Sequence, residues 1–168
     1  DGTTRILYIW DQTINTPSRF PDGYKYGTEW TKSDIDSGRC LHIDANSHGT
    51  HVASTAAGNG RNGSGFIGMA PEADIIVVKT NFDDAHALDA SVYIFRKAQQ
   101  QRKPAVINMS FGSLWGPRDG TDFIDQALNN LLDTPGRAIT ASAGNDGGSN
   151  VHIGTNFLRQ SYRGNYPW

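Results

Sequence analysis

Ala73-Asp74-Ile75-Ile76-Val77-Val78 and Ala105-Val106-Ile107-Asn108-Met109 flank a helical stretch that runs from about Ala87 to Gln101. Both runs are apolar at nearly every position and rich in β-branched residues, which suits strands covered on both faces, as in a parallel sheet. Between them Leu88, Val92, Phe95 and Ala98–Gln99 recur on one face of a helix that stops before Pro104. Outward from this unit the pattern repeats. Arg5-Ile6-Leu7-Tyr8-Ile9-Trp10, ending at Asp11, and Ala138-Ile139-Thr140-Ala141-Ser142-Ala143 read as two more strands. A helix is expected from His48 to about Ala57. Another is expected from about Thr121 to Asp133, where Phe123, Ile124, Ala127, Leu128, Leu131 and Leu132 recur at three and four; Thr121-Asp122 marks its start and Pro135-Gly136 its stop. Alternating strands and helices predict right-handed crossovers and an α/β fold: a doubly wound, mostly parallel sheet with helices on both faces, incomplete within these residues. Functional residues then belong just beyond the carboxyl ends of the strands.

The chain has 168 residues, 37% hydrophobic and 19% charged, enough for one globular domain with a core. A net charge of -2 gives no reason to expect a nucleic acid or an acidic membrane surface as partner. One cysteine, Cys40, excludes a disulfide within the chain. No apolar run approaches the ~20 residues that span a bilayer. The first residues, Asp1-Gly2-Thr3-Thr4-Arg5, are not a signal peptide and run straight into a strand, as if cut from something longer. Residues 11–47, with Pro17, Pro21, Gly23 and Gly27, are polar and are expected to form one long surface excursion, a length that usually has a function.

Three places combine reactive residue types with a strand end or helix start. Asp11 closes the first strand, where a carboxylate can be held rigidly to orient a histidine; taken alone, a turn-starting Asp is the commoner case. In Ser47-His48-Gly49-Thr50-His51-Val52-Ala53-Ser54-Thr55, His48 opens a helix, Gly49 clears space beside it, and Ala53, Ser54, Ala56 and Ala57 let the helix pack closely. A helix N-terminus disfavours imidazolium, and a buried carboxylate opposite would offset that, which suits a general base. The other reading of His48 is a helix cap or a satisfied core residue. In Ala141-Ser142-Ala143-Gly144-Asn145-Asp146-Gly147-Gly148 a strand runs into small residues and an Asn that could donate to a developing oxyanion, or simply shape a turn.

Three blocks, Ile9-Trp10-Asp11, Ser47-His48-Gly49-Thr50-His51-Val52-Ala53 and Ala143-Gly144-Asn145-Asp146-Gly147, resemble the subtilase family of serine proteases in the family's order of Asp, His and oxyanion Asn. Gly68-Met69-Ala70-Pro71-Glu72-Ala73-Asp74 with Val77-Val78-Lys79, and Val106-Ile107-Asn108-Met109-Ser110-Phe111-Gly112, match as well, so that the likeness spans about residues 5–150. The resemblance implies that residues 1–168 are one partial catalytic domain of a subtilisin-type endopeptidase. It implies that His48 is general base and acid, Asp11 its orienting partner and Asn145 the oxyanion donor. It further implies that Ser110, Phe111 and Gly112 form an edge pairing with the substrate backbone, and that Ser142, Ala143 and Gly144 line the pocket beside the cleaved bond. A polypeptide is the implied substrate. No cofactor is required, and an extracellular setting is favoured.

The sequence also departs from the family pattern. The nucleophile lies in a Gly-Thr-Ser-type segment, but none of Gly2, Gly27, Gly49, Gly120 or Gly154, each followed by Thr, is then followed by Ser, and Ser149 and Ser161 lack the small-residue helical setting. The chain is therefore expected to be inactive alone, to need the missing C-terminal part of its own domain, and to self-associate through exposed edges. Gln12-Thr13 stands where Ser or Thr and then Gly is usual, and the Asp–His interval is a little long. Some relatives bind calcium where Gly58–Gly65 falls; Arg61 opposes a cation there, and no calcium ligands are assigned. Asp83 and Asp84 could favour basic substrate residues or form a solvated loop. The competing classes are a protease-like binding or regulatory domain without activity, and a zinc site from Cys40, His42, His48 and His51; the zinc spacing lacks the usual i, i+4 histidine pair and a Glu base, and Cys40 and His42 are expected on a mobile loop. Gly63-Ser64-Gly65-Phe66-Ile67-Gly68 fits a dinucleotide fingerprint but precedes a strand, which rejects it.

Overall fold

A computed structural model describes residues 2–61, 63, 65–112, 116–117 and 119–148. The first strand, β1 (Ile6–Asp11), pairs antiparallel with β2 (Thr28–Thr31) and parallel with β3 (Ile75–Lys79), giving a sheet ordered β2-β1-β3. The parallel register sets Asp11 opposite Lys79 at the carboxyl ends of β1 and β3. A second parallel pair joins β4 (Ala105–Met109) to β5 (Arg137–Ala141), with Asn108 opposite Thr140 and Met109 opposite Ala141. A short 3-10 helix spans Pro17–Arg19, and the α-helices are α1 (Lys32–Asp36), α2 (His48–Ala57), α3 (Asp84–Gln100) and α4 (Phe123–Leu131).

Local chemistry accounts for most boundaries. Asp83 caps α3, its side chain accepting from the Ala85 amide at 3.0 Å, so the helix begins earlier than the apolar spacing predicts and the Asp83–Asp84 pair is a helix start. Asp122 caps α4 in the same way, accepting from the Ile124 amide at 3.0 Å. The start of α1 is a capping box in which Thr31 and Asp34 exchange side-chain and backbone hydrogen bonds. At Gly68 the chain crosses the end of α2 so closely that a Cβ would stand 2.6 Å from the Gly58 nitrogen and 2.7 Å from the Ser54 carbonyl oxygen; only glycine fits, and the Met69 and Ala70 amides then bond the Thr55 and Ala56 carbonyls.

The expected one-sided burial of α3 is not what is found. Val92, predicted on the inner stripe, is exposed, whereas Tyr93, Phe95, Lys97 and Ala98 are all buried. The cause is the 11–47 stretch. Instead of a surface excursion it contributes β2, α1 and an aromatic layer in which Trp10 contacts Tyr24, Tyr26 and Tyr93 at ring-centroid distances of 4.5, 5.2 and 4.9 Å. The hydroxyls of Tyr24 and Tyr26 donate to the Asp89 backbone and carboxylate of α3 at 3.0 and 2.7 Å. α3 is thus covered on one side by this layer. On its other side Phe95 joins Ile107 and Met109 of the β4–β5 pair, packed with Leu128 and Leu131 of α4. β4 alternates rather than being covered on both faces: Ile107 and Met109 point to the helices, while Val106 is 70% exposed on the opposite face.

Candidate active site

Asp11, at the carboxyl end of β1, is fully enclosed, with 0% of its surface exposed. Its Oδ1 accepts from the Thr13 amide at 2.9 Å and the Thr13 hydroxyl at 2.5 Å. Its Oδ2 accepts from His42 Nδ1 at 3.0 Å and lies 3.6 Å from the Lys79 ammonium. Burial by itself would push the Asp11 carboxyl up; the Thr13 hydroxyl, His42, the Thr13 amide and the Lys79 charge outweigh it and hold the group below the ordinary carboxylate range. This is a carboxylate kept ionised in an enclosed place, able to orient an imidazole and stabilise its charged form.

The imidazole on Asp11 is His42, not His48. His42 was expected on a mobile loop, yet its side chain is only 14% exposed and turned inward to the strand end, with the Trp30 ring 6.4 Å away. His48 occupies the first position of α2, as the sequence predicts, but it is exposed and its side chain makes no hydrogen bond to the described residues. The turn that leads into it is held by Asp44. That carboxylate accepts from the amides of Asn46 and Ser47 at 3.2 and 2.9 Å, and from the amide and hydroxyl of Thr50 at 2.8 and 2.7 Å. The Thr50 hydroxyl leads the interactions that pull the Asp44 carboxyl down to about 2. Ser47, the residue before His48, is held at a φ of 65°. The expectation of close packing by the small residues of α2 holds only at its end, where Ala57 is buried; Ala53 is half-buried and Ser54 and Ala56 are exposed.

The second cluster forms where β4 and β5 end together. The Ser142 amide donates to the Met109 carbonyl at 3.0 Å and its hydroxyl to the Phe111 carbonyl at 3.1 Å, tying 110–112 to 142–144. Asn108 donates to the Ser110 hydroxyl at 2.9 Å. Gly144 has a φ of 81°, a left-handed turn that suits glycine. Asn145 follows, exposed and without a hydrogen bond to the described residues. Residues 110–112 and 142–145 therefore share one strand-end region.

Four contributors escaped the sequence reading: Thr13, His42, Asp44 and Lys79. Thr13 had a local signal, since an Asp commonly hydrogen-bonds the backbone two residues on. Asp44 also acts locally, on amides two to six positions on, whereas His42 and Lys79 reach Asp11 across long separations that no local pattern encodes. Among the described residues no three His, Cys, Asp or Glu side chains gather as a metal would require, and Cys40, His42, His48 and His51 do not come together. Ser149 and Ser161 lie outside the described residues. No helix among the described residues is long and apolar enough to cross a membrane.

Comparison with known proteins gives these sites a context. The chain is 35% identical over 136 residues to a subtilisin of Bacillus sp. (strain TA39), covering 78% of this chain and 30% of that protein. It is 36% identical over 118 residues to the major intracellular serine protease of Bacillus subtilis (strain 168), covering 68% of this chain and 35% of that protein. It thus spans about a third of the length of these relatives. The solved structure of the Clostridium perfringens CspB protease superposes with a TM-score of 0.74 at 24% identity, over 87% of this chain and 31% of that one, and shows the α/β fold of the subtilisin type. The profile of the subtilase family matches residues 16–166, a range that holds His48 and Asn145 and starts after Asp11. The chain belongs to the subtilase family.

Proposed function

We propose that this chain is the Asp-, His- and Asn-bearing part of a serine endopeptidase of the subtilisin type, hydrolysing peptide bonds through an acyl-enzyme whose nucleophilic Ser belongs to a segment outside these 168 residues. His48 takes the proton of the attacking hydroxyl and returns it to the leaving amine. Asp11 holds the imidazole and its positive charge. Asn145 donates to the tetrahedral oxyanion. Residues 110–112 pair with the substrate backbone, and 142–144 line the pocket beside the scissile bond. Asn145 supports this reading most: an exposed amide donor, unpaired with any described residue, directly beyond the strand-end cluster that Ser142 ties together.

The test uses the longer protein containing this chain. It should cleave an unstructured polypeptide and be silenced by a serine-directed phosphonylating reagent, while the 168-residue chain alone should not turn over peptides. His48→Ala should abolish cleavage with little change in stability, and Asn145→Ala should lower turnover by about 10²–10³-fold, the loss established for the corresponding donor in subtilisin itself. Undiminished cleavage by His48→Ala refutes the assignment. If another residue stands where a Gly-Thr-Ser-type segment should supply the nucleophile, the protease-like binding or regulatory reading replaces it.

A further inference from the structure

We propose that Asp11 serves two imidazoles in turn, and that the His42 contact is an autoinhibitory one that withholds the carboxylate from His48. The inference rests on the reading of His48 as general base. A carboxylate offers about four acceptor positions; the Thr13 amide and hydroxyl fill those of one Asp11 oxygen, and the other accepts from His42 and faces the Lys79 ammonium at 3.6 Å. The side chain is fully enclosed, so nothing remains for His48 while His42 stays. His48 meanwhile is exposed and unpartnered among the described residues.

The segment carrying His42 is built inside out. Leu41 and Ile43 are 74% and 70% exposed while His42 between them points inward. In an extended segment, moving the chain by one residue exchanges the two faces; here that move would cover Leu41 and Ile43 and carry His42 out. The stretch is bracketed by left-handed residues, Gly38 at a φ of 71° and Ser47 at 65°, where a change of direction can be absorbed. The groups facing His42 are Asp11 from β1, Lys79 from β3 and the Trp30 ring from β2; the Lys79 ammonium also reaches the Ile43 carbonyl at 3.4 Å, so it ties down the same segment. Two arrangements of one short segment, differing in which imidazole reaches one carboxylate, make a bistable element of the kind switches use.

Histidine-selective ¹⁵N NMR on the chain tests this. A carboxylate-bonded imidazole gives a downfield Nδ1–H resonance. That resonance should vanish in Asp11→Asn, persist in His48→Gln, and in His42→Gln be replaced by one from His48 that a further Asp11→Asn removes. The proposal is overturned if the resonance is lost in His48→Gln, or if His42→Gln folds and His48 acquires no Asp11-dependent signal. The His48→Gln and Asp11→Asn spectra decide on their own should His42→Gln fail to fold, and His42→Leu repeats the transfer test. Cleavage assays on the longer protein separate the two claims: activity that survives His48→Ala sinks the proposed function whatever the spectra show, while activity that needs His48 with no transfer on removing His42 sinks this inference alone.

Discussion

The Asp44 carboxylate grips Thr50 twice, accepting from its amide at 2.8 Å and its hydroxyl at 2.7 Å, and so fastens the turn before α2 to the helix's own first turn. The helix has no side-chain cap from Ser47, so Asp44 does that work from three residues further back. Asp44→Ala should leave the Ser47 and Thr50 amides without an acceptor and speed their hydrogen exchange by about fivefold, the usual effect of losing a helix cap. Asp44→Asn keeps one acceptor oxygen and should recover part of that protection. Amide exchange followed by NMR reads both; equal protection in Asp44→Ala would show that the turn holds itself.

Glu29 of β2 ties the aromatic layer to α3. Its Oε2 accepts from the Tyr93 hydroxyl at 2.6 Å and the Lys97 ammonium at 2.7 Å, and Lys97 also lies over the Tyr8 ring at 4.2 Å. The Lys97 side chain is 10% exposed, and Glu29 is the carboxylate that faces its ammonium. Removing one member of an enclosed ion pair costs more than the pair contributes, because the other charge is left without compensation. Glu29→Gln should therefore destabilise by about 3 kcal/mol, read as a lower urea midpoint, and adding Lys97→Met should recover most of the loss. A double variant as unstable as Glu29→Gln would mean that Glu29 acts through Tyr93 instead.

How much of this was legible depends on how local each determinant is. β1, β4, α2 and the Asp122 start of α4 follow from apolar runs and capping residues within a few positions, and they emerge at or within a residue or two of the expected places. His48 and Asn145 each sit in a distinctive string, at the start of α2 and just beyond the end of β5, which is what singles them out as candidates. The order of 11–47 does not come from hydrophobic periodicity: Tyr24 and Tyr26 meet Trp10 and Asp89, and Trp30 meets His42, only through the fold. A local clue existed in Thr31 and Asp34, which have the spacing of a capping box. Nothing local marks His42 as the partner of Asp11. That pairing spans thirty-one positions, and it depends on where β2 and α1 lead the chain.

The ionisable groups predict how stability should bend with pH on both flanks. Asp11, Asp34, Asp44 and Asp119 all have carboxyls held below their unfolded value of 3.8. Such groups bind fewer protons when folded than when unfolded, so their contribution is present above that value and is lost as pH falls through the folded pKa, which for Asp44 is about 2. On the alkaline side, burial leads the causes that raise the Tyr24, Tyr26 and Tyr93 hydroxyls above 10.0, helped at Tyr26 by its hydrogen bond to Asp89 and at Tyr93 by that to Glu29. A raised folded pKa has the opposite sign: the contribution is present below 10.0 and is lost as pH rises beyond it. Thermal unfolding followed against pH should show the midpoint falling below about pH 4 and again above about pH 10. Tyr26→Phe should flatten the alkaline fall because it removes one of the groups that must ionise. Asp11→Asn should flatten the acid fall while lowering the midpoint near neutrality, since His42 and Lys79 lose their carboxylate there. A midpoint that stays level between pH 5 and pH 2.5 would contradict the ionised state of Asp11 on which the site depends.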